Sequence, residues 1–253
     1  MVYRVLVPFL ATMKFLTIIP IRLPREMPPS RMSQTMVWFP VIGLILGVIL
    51  ALVDWGLGQL LPLLVSTCLV LITWVVMTGG LHLDGFLDCC DALFAPRTPA
   101  KRLEILRDPH VGSFAIVGAV CLLLLKFALL VTLPPAHRIA TLLVVPALSR
   151  TAMVYAVRAY PYARAGSGMG RLFREGLTWR DVIVAAGIAG LAAGYALGWI
   201  GLVLVAFIWL LTVGISVWAK PRISGLTGDV YGAINELTEA GGLLCVVLIV
   251  GFL

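Results

Sequence analysis

Three aspartates in the segment GGLHLDGFLDCCDALF, residues 79–94, are the side chains best suited to chemistry in this sequence. Asp84, Asp88 and Asp91 are spaced i, i+4 and i+7, so on an α-helix they lie along one face. We call these three residues the aspartate stripe. Stacked carboxylates repel one another, and a divalent cation removes that conflict. Hard oxygen ligands favour Mg²⁺, Ca²⁺ or Mn²⁺ over zinc or copper, and Mg²⁺ commonly combines one or two carboxylates with substrate phosphates. The stripe therefore predicts a divalent metal site that a phosphorylated ligand completes.

A second group of polar residues lies in ISGLTGDVYGAINELTEAGG, residues 223–242. Asp229 and Glu236 are again spaced i, i+7, while Asn235 and Glu239 add polar atoms where a helix enters an apolar stretch. Asp229 also suits a helix N-cap, but capping does not account for the two glutamates. We expect this group to join the site, either as further metal ligands or as hydrogen-bond partners of an incoming alcohol.

Basic residues follow the aspartate stripe and also interrupt the apolar runs. Lys101 and Arg107 lie soon after the stripe and predict a clamp for pyrophosphate oxygens. Arg150 lies inside an apolar run, where an ionisable residue is a functional candidate, and is predicted to position phosphate or an anionic substrate. Lys126 either has such a role or extends its amine toward the membrane surface. His82, just before the stripe, is either a proton carrier beside the site or a hydrogen-bonded interfacial histidine.

The composition indicates which elements must position these residues. Of 253 residues, 61% are hydrophobic and 12% charged, whereas soluble domains have about 45–50% and about 25%. Apolar stretches long enough to cross a bilayer occupy residues 37–58, 61–77, 111–133, 139–156, 182–198 and 202–218, and a seventh helix is expected from about 231 to 253. We therefore predict an all-α, polytopic transmembrane bundle of about six to eight segments, forming one integral membrane catalytic domain over residues 1–253. The first apolar stretch, residues 2–20, is predicted to span the membrane, to lie in the membrane interface or to form a re-entrant segment. It does not have the pattern of a signal peptide.

The charge distribution predicts the orientation of the bundle. Four polar connections, residues 21–35, 80–110, 158–181 and 220–239, hold most of the 19 lysines and arginines and are therefore predicted to be cytoplasmic. The active face is then cytoplasmic too. We assign the net charge of +7 to membrane retention, anionic head groups and a phosphorylated substrate, and expect no nucleic-acid partner because no recognition motif accompanies it.

Cysteine spacing and small residues bear on disulfides and on assembly. The five cysteines form no CxxC pair, so we expect neither a disulfide framework nor a thiolate zinc site. Small residues in one apolar stretch, among them Gly187 and Gly190, permit close helix packing within or between chains. A homo-oligomer is therefore left open.

Several segments together carry a family resemblance: FLTIIPIRLP at 15–24, GGLHLDGFLDCCDAL at 79–93, EILRDPHVGSF at 104–114 and GLTGDVYGAINELTEA at 225–240. In order and spacing, through nearly the whole chain, they resemble the adenosylcobinamide-GDP ribazoletransferases, also called cobalamin (5′-phosphate) synthases. The sequence departs from the family pattern where Ala92 replaces a common glycine and where RDPHVG replaces a KDSRIG-like stretch. All three aspartates of the stripe are retained.

The resemblance implies a reaction and roles for the residues. A phosphocobinamide group would pass from adenosylcobinamide-GDP to a hydroxyl of α-ribazole or its 5′-phosphate, with release of GMP, at the bacterial cytoplasmic (inner) membrane. Mg²⁺ would be the cofactor, held by Asp84 and Asp88. Asp91 would be a further ligand or accept the proton of the attacking hydroxyl, while Arg107 and Lys101 would steady the diphosphate.

Two other functions compete with this interpretation. A CDP-alcohol phosphotransferase also uses a DG…D…D pattern with a metal, but its Ala-Arg pair after DG and its longer spacing before the last aspartates are missing from DGFLDCCD. An ion transporter could use the stripe as an ion site. Transport sites usually lie near the bilayer midplane, whereas this stripe lies in a polar connection.

Overall fold

The computed structural model describes residues 2–24, 27–94, 96–164 and 168–251, and within these ranges the fold is helical. A 3₁₀ segment, Pro29–Trp38, runs directly into α2. The α-helices are α1 Val2–Leu16, α2 Phe39–Gly58, α3 Leu63–Met77, α4 Leu81–Leu93, α5 Pro99–Ile105, α6 Ser113–Thr132, α7 Pro135–Ala159, α8 Met169–Arg174, α9 Trp179–Leu197, α10 Trp199–Ile223 and α11 Gly228–Gly251.

Among the described residues, six helical segments are long and apolar enough to cross a membrane: α2 with its 3₁₀ extension, α6, α7, α9, α10 and α11. Helices α7 and α11 are largely buried at the centre, whereas α6, α9 and α10 expose large apolar side chains on their outer faces. Exposed leucines and valines on long helices are suited to lipid rather than to water. The predicted all-α polytopic bundle is confirmed.

A sharp bend separates α3 from α4. The sequence predicts a membrane span over residues 61–77, but α3 has 15 residues and the chain then turns by 87° into α4. Gly79 and Gly80 form this turn with φ values of 60° and 68°, which glycine adopts at little cost. Helix α4, with 13 residues, is too short to cross by itself. The bend therefore directs the aspartate stripe away from the axis of α3.

Helix α1 is short and packs on the rest of the chain. Its 15 residues fall below the roughly 17–25 that a span requires, so the interfacial and re-entrant alternatives for residues 2–20 are favoured over a full crossing. The Thr12 hydroxyl donates to the carbonyl of Thr35 at 3.1 Å and so ties α1 to the 3₁₀ segment.

A buried ion pair neutralises the basic residue at the end of the bundle opposite the polar connections. Arg138, at the start of α7, contacts Asp54 of α2, with 2.7 Å between Nη2 and Oδ1. Its guanidinium also donates to the Thr67 hydroxyl at 2.9 Å. Arg138 is therefore held as part of a neutral pair, so it does not oppose the charge asymmetry that predicts the orientation.

Candidate active site

A cavity of about 270 Å³ lies between α4, α7, α8 and the beginning of α11. One side is aromatic, because the rings of Phe15, Phe39 and Phe173 pack with centroids 5.1 to 6.4 Å apart. The lining also includes polar residues. Its ionisable and hydrogen-bonding side chains are His82, Asp84, Tyr162, Arg164, Asp229 and Tyr231. The cavity thus places carboxylates and a guanidinium beside an apolar surface.

Close contact between α4 and α11 brings two of the predicted carboxylates to this cavity. A Cβ atom on Gly85 would lie 2.8 Å from the carbonyl oxygen of Asp229, and one on Gly232 would lie 2.9 Å from that of His82. Only glycine allows two helices to touch backbone to backbone in this way. Asp84 and Asp229, 145 positions apart in the sequence, consequently line the same cavity.

Arg164 links this acidic pair to the loop that follows α5. Its Nη2 donates to Oδ2 of Asp229 at 2.8 Å and to the carbonyl of Leu106 at 3.0 Å. The Thr227 hydroxyl donates to the same Asp229 oxygen at 3.1 Å. Arg164 was not among the predicted site residues. The only sequence signal for it is the PYAR segment, which lies in a basic connection between two spans.

Two backbone hydrogen bonds fix the position of Arg164. The backbone amide of Ala163 donates to the carbonyl of Leu226, and the backbone amide of Leu226 donates to the carbonyl of Pro161, both at 2.8 Å. They form an isolated parallel bridge between the connection after α7 and the one before α11. The bridge satisfies backbone groups that would otherwise be buried without partners. It also holds the guanidinium of Arg164 against Asp229.

The first two aspartates of the stripe lie close to Asp229. Asp84 is exposed and lines the cavity. Asp88 is partly buried, and burial together with the neighbouring Asp229, Asp84 and Asp91 raises its pKa to about 7. The carboxylates are therefore near enough to disfavour one another's charged forms, as the stripe predicts. A cation or a proton relieves that repulsion.

Asp91 accepts hydrogen bonds at the N-terminus of α6. Its Oδ2 accepts the amide of Gly112 at 2.8 Å and its Oδ1 accepts the amide of Ala115 at 3.0 Å. A carboxylate at a helix N-terminus satisfies free amides and interacts favourably with the helix dipole. Asp91 therefore points toward α6. Its predicted roles as a metal ligand and as a proton acceptor stay predictions.

The described side chains do not form a ready-made metal cage. Within the described ranges, no group of three or more His, Cys, Asp or Glu side chains is close enough to hold a metal ion. The donors that do meet, Asp84 and Asp229 with Asp88 nearby, are all carboxylates. That set suits a hard cation bound by one or two protein oxygens and otherwise by water or phosphate.

Four charged residues predicted or suspected to be functional form a buried cluster beside the cavity. The amine of Lys126 contacts Glu236 and also Glu239, the latter at 2.6 Å. Arg150 contacts the other oxygen of Glu239, again at 2.6 Å. We call these four residues the ion quartet. All four are at most 6% exposed, so the alternative in which Lys126 extends toward the membrane surface is wrong.

The ion quartet and its neighbour Asn235 do not line the cavity. The amide of Asn235 donates to Glu239 at 3.0 Å, which explains why a polar residue lies inside α11. The predicted participation of Glu236 and Asn235 in the catalytic site, and the predicted contact of Arg150 with phosphate or an anionic substrate, stay predictions. His82 lies between the two regions, since it lines the cavity and is only 3% exposed.

The two predicted clamp residues on and after α5 lie outside the cavity. Lys101 is exposed and pairs with Glu104 of the same helix at 2.7 Å. Arg107 is also exposed, but it follows Leu106, whose carbonyl accepts a hydrogen bond from Arg164. Arg107 is thus next in sequence to a residue that contacts the site, whereas Lys101 faces solvent.

The fold and the cavity define a class of protein: a multi-pass helical membrane protein whose cavity combines carboxylates with an arginine. The chain belongs to the cobalamin-5-phosphate synthase family, whose model matches residues 8–247. The match confirms the resemblance found in the sequence. It therefore favours that interpretation over a CDP-alcohol phosphotransferase or an ion transporter.

Several curated relatives resemble the chain over almost its whole length. The adenosylcobinamide-GDP ribazoletransferase of Roseiflexus sp. (strain RS-1) is 36% identical over 242 residues, which cover 95% of this chain and 89% of the relative. The enzyme of the same name from Ectopseudomonas mendocina (strain ymp) is 37% identical over 237 residues, covering 93% and 96%. No solved structure matches the chain.

Proposed function

We propose that this protein transfers the phosphocobinamide group of adenosylcobinamide-GDP to a hydroxyl of α-ribazole or α-ribazole 5′-phosphate, with release of GMP. The observation that carries the proposal is the near full-length similarity to relatives that bear this enzyme's name. The cavity adds physical support, because a diphosphate-linked donor needs cations and a positioned acceptor at one place.

The bond changes define what the cavity must do. The acceptor hydroxyl oxygen attacks the phosphorus that carries cobinamide, and the bond from that phosphorus to the oxygen of the GMP phosphate breaks. The hydroxyl proton passes to a base and the negative charge remains on GMP. Arg164 is suited to the charge on the phosphates because its guanidinium lines the cavity and offers donors in a planar fork.

Asp84 is the aspartate of the stripe best placed to act on the acceptor. It lines the cavity and is exposed, and its carboxylate accepts no hydrogen bond from another described residue. Its carboxylate is therefore available as a metal ligand or as the acceptor of the hydroxyl proton. The aromatic rings of Phe15, Phe39 and Phe173 form an apolar surface suited to the flat base of the acceptor.

We propose Mg²⁺ as the cofactor, held by Asp84 with Asp88 or Asp229. The fit rests on the carboxylate donors that meet at one cavity and on their mutual repulsion. When bound, the ion would neutralise charge on the phosphate oxygens. The residues of the chain supply the position, because α4 and α11 bring Asp84 and Asp229 to one cavity, and Asp88 lies one turn further along α4.

We further propose that the protein lies in the bacterial cytoplasmic membrane with this cavity open to the cytoplasm. The proposal is supported by the basic connections at residues 80–110 and 158–181, which meet at the cavity end of the bundle. The substrates are charged and water-soluble at their phosphates, so access from the aqueous side is physically consistent.

The test is GMP release and cobalamin formation by the purified protein in liposomes, with adenosylcobinamide-GDP and α-ribazole, in Mg²⁺ or in EDTA. Replacing Asp84→Asn should remove several kcal/mol of transition-state stabilisation, a loss of about 10²-fold or more in turnover. Asp181→Asn is the matched control, because this partly buried aspartate belongs to the capping box of α9 and does not line the cavity. Full turnover in EDTA, or equal turnover in both variants, would contradict the proposal.

A further inference from the structure

A second cavity, of about 370 Å³, adjoins the first. It is lined by Pro161, Tyr162, Arg164, Arg171, Arg174 and Glu175, and we call it the arginine pocket. Tyr162 and Arg164 line both cavities. A ligand bound in the first cavity could therefore extend a group into the arginine pocket without leaving contact with Arg164.

The charge balance of the arginine pocket favours an anion. Arg164 is paired with Asp229 at 2.8 Å, and Arg171 is paired with Glu175 at 2.6 Å. Arg174 has no salt bridge to any carboxylate in the described part of the chain. Three guanidinium groups and one carboxylate line the pocket, so it carries excess positive charge beside the acidic side of the first cavity.

A buried hydroxyl from the lining of the first cavity supplies an independent indication of a ligand. The hydroxyl of Tyr231 is buried and has no hydrogen-bond partner among the described residues, although such a group normally has one. Tyr231 lines the first cavity together with Tyr162 and Arg164, the two residues that also line the arginine pocket. A phosphate oxygen or a water held by a phosphate would satisfy it.

Tyr162 forms a tightly held wall between the two cavities. A Cβ atom on Gly168 would lie 2.6 Å from its hydroxyl, and one on Gly170 would lie 2.6 Å from its ring. Glycine at both positions lets α8 approach the ring closely, which brings Arg171 and Arg174 to the far side of Tyr162. The wall separates a mixed apolar and acidic cavity from a basic one.

We propose that the arginine pocket binds a phosphate monoester, with Arg171 and Arg174 as its recognition residues. Guanidinium groups bind phosphate oxygens in pairs of hydrogen bonds, which suits a terminal phosphate with several free oxygens. Within the proposed function, from which the choice of ligand follows, that group is either the 5′-phosphate of the acceptor or the phosphate of GMP.

The first experiment measures binding without turnover, by calorimetry on the protein in lipid nanodiscs. The ligands are α-ribazole 5′-phosphate, α-ribazole, GMP and inorganic phosphate. Arg174→Gln should weaken binding of at least one phosphate monoester about tenfold or more, and Arg174→Lys should lose less because it keeps the charge. Arg180→Gln is the control, because Arg180 is exposed at the start of α9 and lines neither cavity.

The outcomes distinguish the two sources of phosphate. A loss confined to α-ribazole 5′-phosphate assigns the pocket to the acceptor, and a loss confined to GMP assigns it to the nucleotide; both support the proposal. Unchanged affinity for every phosphate-bearing ligand overturns it, as does an equal loss for unphosphorylated α-ribazole. Failure of the proposed function would instead show as absence of GMP release by the unmodified protein. Binding of inorganic phosphate to the unmodified protein and to Arg174→Gln would still test the arginine pocket.

Discussion

Replacement of Lys126→Met tests whether the ion quartet stabilises the centre of the bundle. Lys126 and Arg150 balance Glu236 and Glu239, and all four are buried. The substitution keeps an unbranched side chain but leaves the quartet with one uncompensated negative charge. Removing one partner of a buried ion pair costs about 3–5 kcal/mol. At about 2–4 °C per kcal/mol for a chain of this size, the expected fall in Tm is about 6–20 °C.

A second replacement separates charge balance from packing. Lys126→Met combined with Glu236→Gln restores neutrality and leaves the Arg150–Glu239 pair, whose atoms are 2.6 Å apart. We expect the double variant to recover most of the lost stability, with a coupling energy of about 0.5–3 kcal/mol between the two positions.

The assay is thermal and denaturant unfolding of each variant in the same detergent, followed by tryptophan fluorescence. Lys220→Met is the control, because Lys220 is exposed near the end of α10 and has no ion pair with a described residue. A single variant as stable as this control would refute the reasoning. A double variant less stable than the single one would refute it as well.

Three further substitutions separate the contacts of the site from those of the scaffold. Gly85→Ala should force α4 and α11 apart, which should cost about 1–3 kcal/mol of stability and lower GMP release. Gly56→Ala is the control and should change neither stability nor GMP release, because a Cβ at Gly56 meets nothing within 4 Å. Equal activity of the two variants would contradict the close contact. Asp91→Asn should lower the free energy of unfolding by about 1 kcal/mol, because it weakens the hydrogen bonds that Asp91 accepts at the N-terminus of α6. Unchanged stability would contradict this structural role of Asp91. Arg138→Met should lower the free energy of unfolding by about 3–5 kcal/mol, because it leaves Asp54 unpaired. GMP release at low temperature should stay near normal. Loss of GMP release in folded protein would contradict a purely structural role for the pair.

Much of the bundle and part of the site could be predicted because their signals are local in sequence. Long apolar stretches predict the spans, and the i, i+4, i+7 spacing places three aspartates on one helical face whatever that helix contacts. Helix α3 covers most of the predicted span at residues 61–77, but the sequence did not predict that the chain bends by 87° directly after it, at Gly79 and Gly80. A hydropathy pattern reports length and polarity but not such a change of direction.

The partners of the polar residues depended on contacts between distant segments. Asp91 belongs to the stripe by spacing, yet its oxygens accept amides of α6, more than 20 residues away. Glu236 and Glu239 could be recognised as unusual near a span, but not as partners of Lys126 and Arg150 on two other helices. Spacing within one helix cannot predict which side chain the next helix presents.

Composition, periodicity and motif order are properties of the chain. They were enough to identify a helical membrane protein of a recognisable family with an acidic face on one short helix. The tertiary structure alone decided that Asp84 and Asp229 share a cavity, and that Arg164 lies against Asp229. The physical reason is backbone contact. Helices α4 and α11 meet at glycines, and the bridge at Leu226 fixes the loop that carries Arg164.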